Sequence, residues 1–214
     1  MASHTIKRAQ TLGEELANTI SHGTGALLAL AGVVPLIVKG AATGSAKTVF
    51  SLAAYGLSLV LLYTASAVYH AARRPELKRV LRIMDHCSIF VLILGTYIPM
   101  SLLVVGGQTG WMLFLTNTTL AVIGITLNAI DLKRFDKVSM ALYALMGWLI
   151  VVALRAIVEA LPPLGLGLLV AGGVAYTAGI FFYKSQKHYM HFVWHLFVLA
   201  GSVLQYLCIA LYCV

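Results

Sequence analysis

Seven times the chain runs for roughly 17–25 residues almost without charge, the length that carries a helix across ~30 Å of hydrocarbon. The runs are about Thr19–Val38, Thr48–His70, Ile83–Val105, Trp111–Ile130, Ser139–Ile157, Leu164–Tyr183 and His191–Val214. That repetition leaves little choice of fold. In lipid every backbone amide must be satisfied inside its own segment or in a closed barrel, and these runs lack the ten-residue alternation of barrel strands. The expectation is an all-α, polytopic membrane protein: one seven-transmembrane-helix bundle over residues 1–214, with 1–18 as an amino-terminal segment. Composition agrees, because 60% hydrophobic and 10% charged residues cannot cover a water-facing exterior. The loops are short, and Pro162-Pro163 marks the turn between the fifth and sixth runs.

Lysine and arginine give the direction of insertion. The amino-terminal segment and the second, fourth and sixth loops hold Lys7, Arg8, Arg73, Arg74, Lys78, Arg79, Arg82, Lys133, Arg134, Lys137, Lys184 and Lys187. The opposite side holds Lys39, Lys47 and Arg155. Twelve against three predicts a cytoplasmic amino terminus and a carboxyl terminus outside. The net charge of +8 is thereby explained by loops that touch anionic headgroups, with no need of nucleic acid. No cleavable signal peptide is visible, and Cys87, Cys208 and Cys213 show no paired spacing, so they read as free thiols.

Ionisable groups inside spans are costly and are functional candidates by default. They are few: His70, Asp85, His86, His191 and His195, with Glu14, Glu15 and His22 at the start of the first run. The topology collects all of them in the cytoplasmic leaflet, although they come from distant stretches of chain. Local spacing sharpens the pattern. In "HFVWH", His191 and His195 are separated by ~6 Å of rise and ~40° of rotation on a helix, so both imidazoles can reach one metal ion. In "SAVYH", Ser66 lies one turn deeper than His70. Three histidines with an open fourth position is the donor pattern of catalytic zinc, and Asp85 is placed to hold or deprotonate a water there or to orient an imidazole.

Plainer readings compete with this one. A single histidine at headgroup depth is more often an interfacial polar residue, which is the reading for His22, His86 or His188 alone. His188 lies three residues before His191, so a pair slipped to His188–His191 is the alternative register. A proton relay could use the same groups without metal. "NAID", at Asn128–Asp131, reads as a helix-end cap near headgroups.

The combination of Ser66-x3-His70, Asp85 and His191-x3-His195 across seven spans resembles the progestin and adipoQ receptor family, and within it the bacterial haemolysin-III branch. "EELANTISHGTGALLALAG", with Glu15, Asn18 and His22, and "YHAARRPELKRVLRIMDHCSIFVLILGTYIP" are similar to motifs of that branch. The resemblance covers essentially the whole chain. It implies Zn2+ held by His70, His191 and His195, with Ser66 and Asp85 beside it as catalytic groups; it assigns no role to Glu15 or His22. Through the alkaline ceramidases and adiponectin receptors of the same superfamily, it implies zinc-dependent hydrolysis of a lipid amide drawn from the cytoplasmic leaflet. The setting would be lipid homeostasis in a bacterial inner (plasma) membrane. Two other classes stand beside the enzyme: a receptor or regulator with structural zinc, and a haemolysin-type pore or transporter. The pore is disfavoured, because no span carries a polar stripe along its length. Oligomeric state is not legible.

Overall fold

The structure, a computed structural model, describes residues 8–214 and is helical, with no strand among the described residues. Seven helices are long and apolar enough to cross a membrane: α1 Leu12–Ala42, α2 Ala46–Ala71, α3 Pro75–Val105, α4 Gly107–Asp131, α5 Asp136–Ala160, α6 Pro163–Lys184 and α7 Met190–Tyr212. Neighbours in sequence pack as neighbours in space along α1–α2–α3–α4, and α6 pairs with α7, which closes back on α1. Apolar side chains such as Leu27, Val152 and Phe181 face outward, as a lipid-facing exterior requires.

Each expected run is present, with longer ends. α1 begins at Leu12 rather than Thr19, because Thr11 caps it: its hydroxyl accepts the Glu14 amide at 3.3 Å, and the Glu14 carboxylate accepts the Thr11 amide at 2.8 Å. This reciprocal box suits acidic residues in a first turn, where the helix dipole is positive. It turns what looked like a polar tail into the helical turn that carries Glu14, Glu15 and Asn18. Pro75 and Pro163 occupy first-turn positions of α3 and α6, where a missing amide costs nothing.

Two helices are irregular, and both irregularities are bonded. α3 ends in a π-turn over Met100–Val105, where the Lys47 ammonium donates to the Leu102 carbonyl at 3.2 Å. α5 tightens to a 3-10 turn over Leu149–Ala153. There the Tyr97 hydroxyl accepts the Ile150 amide at 2.7 Å and donates to the Gly147 carbonyl at 3.1 Å, replacing backbone bonds that the break removes. Close helix contact falls where side chains vanish. A Cβ on Gly56 would lie 2.5 Å from Val33 and one on Gly25 2.6 Å from Tyr63, so α1 and α2 meet backbone to side chain in the manner of small-residue membrane interfaces.

Candidate metal centre

The last turn of α2 delivers His70, buried, to the interior of the bundle end at which α1 begins. Its Nδ1 lies 2.7 Å from Glu15 Oε2, while Glu15 Oε1 accepts the Lys78 ammonium at 2.8 Å. A carboxylate accepts only, so Nδ1 carries the proton and Nε2 keeps a free lone pair.

The first turn of α7 delivers the other two imidazoles. It starts from Tyr189, whose φ of 60° is the one positive value at a non-glycine among the described residues. That left-handed turn is held by Glu14, which accepts the Tyr189 amide at 2.8 Å. The same carboxylate is gripped by Arg8, whose guanidinium pKa is raised above its ordinary value chiefly by that hydrogen bond. His195 Nδ1 sits 3.2 Å from Ser21 Oγ, and the Ser21 hydroxyl donates to the Asn18 carbonyl at 2.9 Å. Its hydrogen is therefore spent, and the oxygen accepts from His195, again leaving Nε2 with a free lone pair.

The three rings converge. Centroids are 5.1 Å apart for His70–His191, 5.0 Å for His70–His195 and 4.8 Å for His191–His195. One donor atom from each lies within 4.8 Å of the others, and Nε2 of all three is buried with no hydrogen-bond partner among the described residues. Buried polar atoms are seldom left unpaired. Three of them facing one space, with the Nδ1 protons of His70 and His195 occupied elsewhere, fit a divalent ion that favours imidazole.

Around this group stand the remaining sequence candidates. Ser66, one turn deeper on α2, is buried, and its hydroxyl has no partner among the described residues. Asp85 is buried on α3, with Oδ2 3.5 Å from His86 Nδ1; that nitrogen lies nearer the Arg82 carbonyl, at 2.9 Å, and is bonded there. Asp85 is thus a desolvated carboxylate with no lysine or arginine paired to it among the described residues, in electrostatic reach of His86, His70, His22 and His191. A divalent ion would compensate it. His188 stays in the loop before α7, mostly exposed, 3.6 Å from Glu14, so the His188–His191 register is not the one adopted.

Sequence reasoning left His22 without a role and gave Asn128 a different one. His22 is fully inside, stacked on His195 at 3.5 Å with rings 9° from parallel, and neither of its nitrogens has a hydrogen-bond partner among the described residues. The spacing of Glu15, Asn18 and His22 on one face of α1 was the available signal. Asn128, read as a helix-end cap, is instead buried: its Oδ1 accepts Ser139 at 2.6 Å, and its amide meets the Tyr143 hydroxyl at 3.4 Å, which donates to the His86 carbonyl at 2.8 Å. The capping belongs to Asp131, whose Oδ1 accepts the Lys133 and Arg134 amides at 3.0 Å.

Two spaces meet beside the histidines. One, of about 260 Å³, runs between α3, α5, α6 and α7, walled by apolar side chains such as Ile89, Leu92 and Leu169, with Asp85, His86 and His22 at one end. The other, of about 370 Å³, is polar and lies at the bundle end, lined by Glu14, Glu15, Lys78, Arg82 and His191 among others. His86 and Tyr183 border both.

The chain is similar to known proteins over nearly its whole length. Residues 10–206 match the family model described as haemolysin-III related. The chain is 38% identical to "Hemolysin-3" of Bacillus cereus over 213 residues, which are 99% of this chain and 97% of that one. It is 39% identical to "Hemolysin-3 homolog" of Bacillus subtilis (strain 168) over 205 residues, 95% and 96% of the two chains.

Proposed function

We propose that this chain, which belongs to the haemolysin-III family, is a zinc-dependent hydrolase of a lipid amide. The observation that carries the reading is the set of three buried, unpartnered Nε2 atoms of His70, His191 and His195, two of them turned inward by Glu15 and Ser21. A zinc ion bound there would supply Lewis acidity and a water acidified towards neutral pH.

The chain's own groups would do the rest. The apolar cavity takes the acyl chain and leaves the amide at its polar end, where Asp85 and His22 stand. Asp85 accepts the proton from the attacking water. The Ser66 hydroxyl, without a partner among the described residues, donates to the oxygen that gains charge as the C–O bond forms. Asp85 then passes the proton to the departing nitrogen as the C–N bond breaks, so that one water is consumed and a fatty acid and an amine leave. The excess of lysine and arginine at this end supports a cytoplasmic amino terminus, hence substrate from the cytoplasmic leaflet of a bacterial inner membrane.

Metal analysis and turnover of detergent-purified protein test the reading together. Wild type should carry zinc and release fatty acid from an N-acyl sphingoid base, His191→Ala should lose the metal, and Asp85→Ala should keep the metal and lose turnover. Zinc-loaded protein with no turnover that Asp85→Ala and His195→Ala abolish would refute the hydrolase. His70→Ala that lowers thermal stability sharply in such a protein would then favour a structural zinc.

A further inference from the structure

The polar space at the bundle end is walled by four cations, Arg8, Lys78, Arg82 and Lys187, and by two carboxylates, Glu14 and Glu15. The carboxylates are already used: Glu14 holds Arg8, and Glu15 holds Lys78 and His70. Arg82 and Lys187 therefore keep positive charge that no carboxylate matches among the described residues. Arg82 also lies within electrostatic reach of Tyr69 and Tyr183, two phenols that border the same space. A guanidinium faced by an ammonium from the opposite loop, in a space that the Tyr69 phenol also borders, is a donor set for a tetrahedral oxyanion; the Tyr183 hydroxyl is already spent on Asp136 Oδ1, to which it donates at 3.3 Å. His86 and Tyr183 line both this space and the apolar cavity.

We propose that this vestibule is a phosphate-binding site, and that its ligand is the phosphate group of a lipid-like molecule whose chain occupies the adjoining cavity. The proposal rests on the hydrolase reading only in taking the cavity as the place of the chain. Arg82 and Lys187 bind the phosphate; Arg8 and Lys78 keep Glu14 and Glu15 from repelling it. Lipid phosphates lie at the depth where these loops meet the membrane.

The test measures binding by tryptophan fluorescence, since Trp148 and Trp194 line the cavity. Full-length protein in a neutral detergent is titrated with dodecyl phosphate, with dodecanol and with inorganic phosphate, each with and without chelator so that ligation to a metal is separated. Wild type should prefer dodecyl phosphate to dodecanol by about tenfold or more, and Arg82→Gln with Lys187→Gln should remove that preference while dodecanol binding stays. If the double variant fails to fold, Lys187→Gln alone, in an exposed loop, should reduce the preference by about fivefold. Inorganic phosphate that displaces the amphiphile at equal concentration would assign the site to free phosphate rather than to a headgroup. Equal affinity for the phosphate and the alcohol, or a preference that survives loss of both cations, overturns the proposal. A chain that binds dodecyl phosphate but cleaves no amide would sink the hydrolase and leave this site standing.

Discussion

Glu15→Gln is the sharpest perturbation of the centre, because it changes one atom and forces a choice. In the native arrangement one carboxylate oxygen takes the His70 Nδ1 proton at 2.7 Å and the other takes Lys78 at 2.8 Å. A glutamine cannot serve both. If its oxygen faces His70, its NH2 meets the Lys78 ammonium, donor against donor. If it flips, the NH2 faces Nδ1, the proton must move to Nε2, and the lone pair intended for metal is gone. Either way His70 loses a charge-assisted bond, and loss of such an outer partner weakens metal binding by about 10–100-fold, or roughly 1.4–2.8 kcal/mol. The assay is competition for zinc between purified protein and a chelator of known affinity. The same argument predicts a rescue: with Lys78→Met added, the NH2 no longer faces an ammonium, the oxygen can return to His70, and part of the lost affinity should come back. Wild-type affinity in Glu15→Gln, or no recovery in the double variant, refutes the account of how His70 is set.

Other substitutions probe other contacts. Ser21→Ala removes the acceptor of the His195 Nδ1 proton, and zinc affinity should fall by about tenfold while the apo-protein melts within a few degrees of wild type. Glu14→Gln weakens the hold on the Tyr189 amide, a bond to a charged group worth about 1.5–3 kcal/mol, and a lower Tm should accompany it. Tyr97→Phe strands the Ile150 amide and the Gly147 carbonyl at the 3-10 turn, and denaturation in mixed micelles should show a loss of about 1–3 kcal/mol.

The fold was legible because lipid imposes a single rule: seven apolar runs of spanning length become seven helices. Helix ends were less legible. Thr11 and Glu14 extend α1 by a reciprocal cap whose strength lies in two hydrogen bonds, and hydropathy does not register it. The convergence of His70 with His191 and His195 could be anticipated from topology, which put α2 and α7 at the same end, and from the i,i+4 pair on α7. What spacing cannot give is which nitrogen faces inward. That is set by Glu15 and Ser21, both on α1, through contacts 55 and 174 residues apart in sequence. Asn128 was misread for a similar reason: a polar residue near a helix end looks like a cap until a neighbouring helix supplies Ser139 and Tyr143.

The first three turns of α1 thus act as the jig on which the centre is assembled. Glu14 and Glu15 are adjacent in sequence, so a helix points them ~100° apart. One secures the loop that starts α7, and the other secures the imidazole that ends α2. Two turns along the same helix, Ser21 orients His195 and His22 stacks on it. Helices α2 and α7 place the three imidazoles, but neither helix fixes their tautomers. It follows that damage to α1 should disorganise the centre without removing a candidate ligand. Glu15→Gln combined with Ser21→Ala should lose more zinc affinity than either alone, by nearly the product of the two effects, since each acts on a different ring. A combined loss no greater than the larger single one would mean that α1 acts as one rigid brace that fails at the first cut.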